Sequence, residues 1–519
     1  MTTKAQSRDQ NRAAVITIAQ TATSYVPPLT QVQLDPLESP LLRQMLPGLA
    51  GALDVQLIRV ALQAALFGPS RPNLTIERCE VDQATYVPDP CCIIRYQLTV
   101  RDSASGASHE LLVSGQVFPN QAACAAYARD GLSPLAARMA GREEIALFAA
   151  PVGTIDALHM AVFAFPLDAD LPSLLGATDR QGLTPLLSEA LQQIQAPGFA
   201  AEDCRVELVD YGRKQRATLR YHVDGRTGGA PAQDVVVYGK LTGDGSGALA
   251  GPISAALREV QEHSPVGYRF NIPRVLAWRP EIHLSLLEAI PGQSLIGDAL
   301  KAQLRGKPAV AGAMSIEQMI DACARIAATL HTSGIQLGRR RTFDDELASL
   351  RRELSYIQPI SPDLGARLAA WLDQIAQSAA QSQPLPLCFN HGDFTYGQLL
   401  FDGSDSGLID FDSVCQAEPA LDLAQFLTYL RVASLKSKLT PEATRALIEQ
   451  LGQRFLDIYA SMPGISSDDL RQLAQRVSLY KALSLVRRTL RSWQKFKPDR
   501  IESALALLVE ELAGLSSYR

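Results

Sequence analysis

Apolar and polar positions sort the chain into a polar head, two strand-rich stretches and a long helical tail. Up to about Pro27 the residues are polar and lack periodicity, which predicts a disordered tail over residues 1–36. From 37 to 67 apolar residues recur at helical spacing. LLRQMLPGLAGAL, interrupted at Pro47, and VQLIRVALQAALF predict two helices, stopped by Pro69, Pro72 and Asn73. β-Rich runs follow at 93–100 and 110–118, antiparallel partners across a Gly/Ser-rich loop, with a later strand at 159–165. The series returns at 217–223, 234–241 and 283–290, with a helix at 252–263. From about 296 the period becomes helical, and helices are predicted at 316–332, 344–357, 362–379, 421–435, 441–462, 467–495 and 500–515.

The return of the strand series has a fixed offset. Cys79, Tyr86, Tyr96 and Pro166 recur as Cys204, Tyr211, Tyr221 and Pro291, each 125 residues later (204 − 79, 211 − 86, 221 − 96, 291 − 166). Arg95 is matched by Arg220, and Ser114-Gly115-Gln116, slipped by one residue, by Tyr238-Gly239-Lys240. A constant offset predicts two successive units of one structure. The expected division is a tail at 1–36, a first unit at 37–180, a second at 181–295 and a helical region at 296–519.

The densest chemistry lies between Leu387 and Arg431. His391-Gly392-Asp393 is followed five residues after Asp393 by Gln398, and then by Ile409-Asp410-Phe411-Asp412. Leu399-Leu400-Phe401 and Gly407-Leu408-Ile409 predict two short buried strands in a hairpin, which would return Asp410 to the side of Asp393. One carboxylate to accept a hydroxyl proton, an amide oxygen on the same loop, and a second carboxylate at a neighbouring strand end form the oxygen set that metal-assisted phosphoryl transfer requires. Asp393, Gln398 and Asp410 fill these places in order. Positioning and charge neutralisation supply most of the catalysis in such reactions. Asp residues are also common in turns, so either triplet alone would say little.

HGDFTYGQLLFD and LIDFD, with Glu418-Pro419-Ala420-Leu421-Asp422-Leu423-Ala424 behind them, resemble the aminoglycoside phosphotransferase and choline kinase group of enzymes. Many members carry Asn where this chain has Gln398, which offers the same amide oxygen on a longer arm. The resemblance implies an α+β, protein-kinase-like bilobal fold, with an antiparallel-sheet small lobe and a mostly helical large lobe. Here a duplicated, degenerate small-lobe-like domain would precede it. It implies transfer of the γ-phosphate of ATP or GTP, with Mg2+, to a hydroxyl of a small acceptor such as a sugar, an aminoglycoside or an amino alcohol. Asp393 would be the base, and Gln398 and Asp410 the metal ligands. His391 would orient the loop. Asp412 would assist the metal or bind the acceptor, and Asp422 would cap its helix and anchor the catalytic loop.

In the second unit, VVVYGKL puts Lys240 where a kinase small lobe carries its phosphate-pairing lysine. Glu259, or else Glu262, would be its partner on the next helix, and the backbone of Glu288, Ala289 and Ile290 would meet the nucleobase. Tyr211-Gly212-Arg213-Lys214 stands at the phosphate-covering turn without a glycine-rich fingerprint. The first unit has Gln116 in place of the lysine and Phe165-Pro166-Leu167-Asp168 at the hinge, which implies a structural, regulatory or substrate-covering role. A protein partner or self-association through 37–180 would fit that role. The C-terminal helices would form the acceptor pocket, where Arg487, Arg488, Arg491, Lys495 and Lys497 would face an anionic acceptor or simply solvent. A nucleotide-sensing pseudokinase and a nucleotidyl transferase on the same site are the alternatives.

Composition narrows this little further. Of 519 residues, 47% are hydrophobic and 20% charged, which is globular rather than disordered. A net charge of −5 gives no basic field for nucleic acid, and no apolar run is long enough to span a membrane. Eight cysteines without CxxC spacing suggest reduced thiols rather than zinc ligands, so a cytoplasmic protein is expected.

Overall fold

The computed structural model describes residues 33–516 except 89–90, 196, 213–214, 229–230, 308–313 and 467–469. The expected tail thus lies outside the described residues apart from 33–36.

The chain builds two five-stranded antiparallel sheets with one topology. The first runs β1 (Leu74–Val87), β2 (Cys91–Asp102), β3 (Ser108–Val117), β4 (Val152–Ile155) and β5 (Met160–Ala164), in the order β1-β2-β3-β5-β4. The second runs β6 (Phe199–Gly212), β7 (Arg216–Thr227), β8 (Gln233–Thr242), β9 (Val275–Arg279) and β10 (Leu284–Glu288), in the order β6-β7-β8-β10-β9. Period-2 patterning decides the faces. Cys92, Ile94, Tyr96, Leu98 and Val100 point into one core, and Ala217, Leu219, Tyr221 and Val223 into the other. Tyr96 donates its hydroxyl to Ala52 O at 2.7 Å and Tyr221 donates to Ala177 O at 2.9 Å, so donors and acceptors both keep the 125-residue offset (221 − 96 and 177 − 52). At Gly239 an added Cβ would sit 2.5 Å from the Tyr221 ring, which only glycine permits.

Two features differ from the sequence expectation. β1 and β6 have no clean alternation because each carries two bulges, the first at Ile76/Arg78 and again at Ala201/Asp203. The second core also starts ahead of residue 181. Leu171, Leu174 from the segment Leu174–Ala177, and Leu183 and Leu187 from the helix Arg180–Leu191 pack under the second sheet with Phe199 and Tyr221.

Helices form the rest. Ile316–Thr332, Phe343–Ile357, Pro362–Ala380, Ala420–Ser434, Pro441–Ser461, Leu470–Gln494 and Pro498–Ser516 enclose a core that includes Phe426, Phe455, Tyr480 and Trp493. Among the described residues no helix is long and apolar enough to cross a membrane. The molecule is therefore α+β, with an antiparallel-sheet lobe followed by a mostly helical one. The lobes meet through the hairpin of β13 (Leu399–Asp402) and β14 (Asp405–Leu408), in register Leu399 to Leu408. Gln293 and Phe401 exchange backbone hydrogen bonds at 3.0 and 2.9 Å, and Asn271 donates to Ser406 O at 2.7 Å.

The first sheet domain touches both lobes. Tyr211, at the end of β6, is half-buried against it. Its hydroxyl donates to Asp168, its carbonyl accepts from Arg95, and its ring meets Phe165 and the Arg95 guanidinium. On the other side Tyr86 meets Trp493 of the helical lobe edge-on, with ring centroids 5.5 Å apart.

Candidate active site

The His391–Asp393 loop is held from behind. β15 (Cys415–Ala417) pairs with β11 (Arg339–Arg340) on one side and β12 (Cys388–Asn390) on the other, and after β12 the chain turns through His391, Gly392 and Asp393. Gly392 has φ +78°, and an added Cβ would lie 2.0 Å from Ser413 O, so a side chain is excluded. Asp422, fully buried in the first turn of Ala420–Ser434, accepts the amides of His391 at 2.7 Å and Gly392 at 2.8 Å. It anchors the loop; the helix cap position is Pro419. Gln425, one turn on, donates to Gly392 O and accepts from Phe394 N, both at 2.9 Å. Arg341 adds a bond to Gly392 O at 3.2 Å. His391 is also fully buried and places Nε2 3.0 Å from Ile409 O, so its ring ties the loop to the second motif.

Charge converges in front of this frame. Burial raises the Asp393 carboxyl above the ordinary carboxylate range; His391 and Arg491 oppose the rise, and Asp410 and Asp422 add to it. Asp410 follows β14 in a left-handed conformation, φ +70°, uncommon for a residue with a Cβ. Burial would raise its carboxyl as well, but the Lys240 ammonium outweighs it and holds Asp410 below the ordinary range. Lys240 Nζ lies 2.5 Å from Asp410 and 3.1 Å from Asp412. Burial disfavours the ammonium, yet the two carboxylates leave its pKa raised. Arg216, at the start of β7, is within electrostatic reach of Asp410.

Residues 248–476 match the family model described as "Phosphotransferase enzyme family". No curated protein matches the sequence. Among solved structures the chain is similar to the GDP complex of aminoglycoside 2'-phosphotransferase-IIIa, at 16% identity over 64% of this chain and 99% of that one, with a TM-score of 0.40. It is similar to choline kinase from Cryptosporidium parvum, at 12% identity over 64% and 94%, with a TM-score of 0.42. A glucosamine kinase complex with glucosamine, ADP and phosphate covers 87% of this chain and 99% of that one, at 17% identity and a TM-score of 0.42.

Lys240 lies just before the segment matched to the phosphotransferase family, on β8 of the lobe that covers the site. Its expected partner Glu259 does not reach it. The helix Ala250–His263 buries Ile253, Ser254, Leu257 and Gln261, which turns Glu259 and the alternative Glu262 outward to solvent. The pairing falls to Asp410 and Asp412 instead.

Gln398 closes the loop, and its carbonyl accepts from Ile409 N at 3.0 Å, which sets it beside the Asp410 segment. Among the described residues no three His, Cys, Asp or Glu side chains form a complete metal cage. The donor set is nonetheless all hard oxygen, an amide and a carboxylate, with Asp393 and Asp422 adding negative charge nearby. That suits Mg2+ with ligands completed by phosphate oxygens. Glu288 and Ala289 line a cavity of about 490 Å3 with Ile194, Gln195 and residues 233–236, while the Ile290 side chain packs toward Gly407. Of the expected phosphate-covering turn, Arg213 and Lys214 lie outside the described residues, and Tyr211 faces the first domain.

Sequence reasoning missed Gln425, Arg341 and Arg216. Gln425 had a signal, because it shares a helix face with Asp422 at i,i+3. Arg341 and Arg216 come from remote segments and had none.

Proposed function

We propose that the chain is a small-molecule kinase that transfers the γ-phosphoryl group of ATP or GTP to a hydroxyl of a small acceptor, a sugar, an aminoglycoside or an amino alcohol. The observation that carries this reading is the meeting of Asp393, Asp410 and Lys240, from three separate segments, on a loop fixed by Asp422. Asp393, with its carboxyl raised by burial, accepts the proton of the attacking hydroxyl. Lys240 passes from Asp410 to the incoming phosphates and keeps Asp412 as its counter-charge. Asp410 and Gln398 would hold Mg2+, which when bound supplies neutralisation of the phosphate charge. The first sheet domain, with the same strand order and no lysine at Gln116, is read as a degenerate copy of the nucleotide-covering lobe that supports it. A cytoplasmic location accords with eight cysteines that form no disulfide.

Asp393→Ala is expected to lower kcat by about 10²–10⁴ with nucleotide affinity retained. Steady-state kinetics with mass spectrometry of the product is the test. Full turnover in the variant would remove Asp393 from the base role. An acceptor that gains a nucleotide rather than a phosphate would replace the kinase reading with nucleotidyl transfer.

A further inference from the structure

The helix Leu470–Gln494 carries a row of buried or half-buried cations, and four of them divide three to one. Arg476 pairs with Glu418 at 2.6 Å, Lys481 with Glu511 at 2.7 Å, and Arg487 with Glu346 and Glu353 at 2.9 and 3.2 Å. Arg488 differs. Its Nε is buried with no hydrogen-bond partner, and no carboxylate pairs with its guanidinium among the described residues. Its polar and charged neighbours are Tyr429, Arg500 and Tyr396. A desolvated guanidinium beside a second arginine is unfavourable until an anion joins it. A guanidinium fork is also the side chain best shaped to take a carboxylate or a phosphate ester in two parallel bonds.

Its place in the molecule says which anion. Tyr429 is within electrostatic reach of Asp393, Arg491 and Arg488 together. The Tyr396 and Tyr429 rings meet edge-on at 6.2 Å, and Tyr396 follows Asp393 by three residues on the catalytic loop. Arg491 lies one turn beyond Arg488 on the same helix face. Lys240 reaches the neighbourhood of Asp393 through Asp410, whereas Arg488 reaches it through Tyr429. Two different groups of residues thus approach Asp393, and Arg488 with the tyrosine pair forms the one left for a hydroxyl acceptor.

We propose that Arg488 binds an anionic group carried by the acceptor, a carboxylate or a phosphate ester, while Tyr396 and Tyr429 flank the acceptor body. The proposal rests on the kinase reading and narrows it to anionic hydroxyl compounds. The reaction itself is unchanged. The acceptor O–H gives its proton to Asp393, a new O–P bond forms, and the bond from the γ-phosphorus to the β–γ bridging oxygen breaks, its electron pair leaving with the nucleoside diphosphate.

The test uses the full chain with Mg-ATP and Mg-GTP and matched acceptors: glucose, glucuronate and glucose 6-phosphate. Glucuronate or glucose 6-phosphate is expected to exceed glucose in kcat/KM by roughly 10- to 100-fold, the size of a charge-assisted hydrogen bond. The two arms distinguish carboxylate from phosphate ester. Arg488→Gln should collapse that preference toward unity, mainly through KM, and Arg488→Lys should restore part of it. Nucleotide affinity, read by titration, should hold in both variants. Preference for glucose, or an Arg488→Gln variant with the anion preference intact, overturns the proposal. Mg-dependent nucleotide binding without use of either anion overturns it and leaves the kinase reading standing. Absence of nucleotide binding in the wild type overturns both.

Discussion

At the residue scale the site is a balance of carboxylates in low dielectric. The raised pKa of Asp393 means that the folded protein holds this proton more tightly than the unfolded chain does. Its contribution to stability is therefore full at low pH and is lost as pH rises through the raised value. Activity runs the other way, because a base must be ionised: kcat should fall at acid pH with a midpoint above the ordinary carboxylate range, and Asp393→Asn should raise the melting temperature of the ligand-free protein while removing turnover. A pH–rate profile with no acid limb above pH 4 would contradict this, since the ordinary Asp value is about 3.9. Asp410 has the opposite sign: its stabilising contact with Lys240 is present above the ordinary carboxylate pKa and is lost as pH falls through the depressed one. Asp422→Ala leaves two buried loop amides without an acceptor and is expected to cost roughly 2–5 kcal/mol, read by urea unfolding. The two loop motifs were legible because their residues are contiguous. The partner of Lys240 was not, since Asp410 and Asp412 lie 170 and 172 residues away in sequence. A two-residue shift around a helix turned Glu259 to solvent.

At the element scale the hairpin β6–β7 is the part of the second sheet that the first domain grips. Tyr211 is wedged among Arg95, Phe165 and Asp168, and burial pushes the Asp168 carboxyl up to about 6. Tyr211→Ala should cost roughly 3–5 kcal/mol, as for other buried aromatic truncations, and should weaken nucleotide binding by loosening the hairpin. Urea unfolding and a nucleotide titration read the two effects separately. Lost stability with an unchanged nucleotide Kd would mean that the hairpin does not carry the coupling. The central strands β2, β3, β7 and β8 were legible from clean alternation. β1 and β6 were hidden by their bulges, which put consecutive residues on one face and break the period. The β13–β14 hairpin was legible because both strands are short, apolar and joined by a polar turn.

At the scale of the whole molecule the first domain stands between the β6–β7 hairpin, through Tyr211, and the helix that carries Arg488, through Tyr86 and Trp493. The two sheets share one strand order, and the Tyr96–Ala52 and Tyr221–Ala177 bonds join positions 125 residues apart. No local pattern could announce which surfaces the two sheets present to each other, because that depends on contacts between segments remote in sequence. The family match begins at residue 248, after the first sheet is complete and the second has contributed its first three strands. The central claim is that Lys240, Asp410 and Gln398 form a Mg-dependent nucleotide site. The measurement that tests it most directly is a titration of ATP and GTP, with and without Mg2+, on the wild type and on Asp410→Ala. Tight binding that requires Mg2+ and is lost in the variant is expected. Equal binding in the wild type and the variant, or binding indifferent to Mg2+, would contradict it.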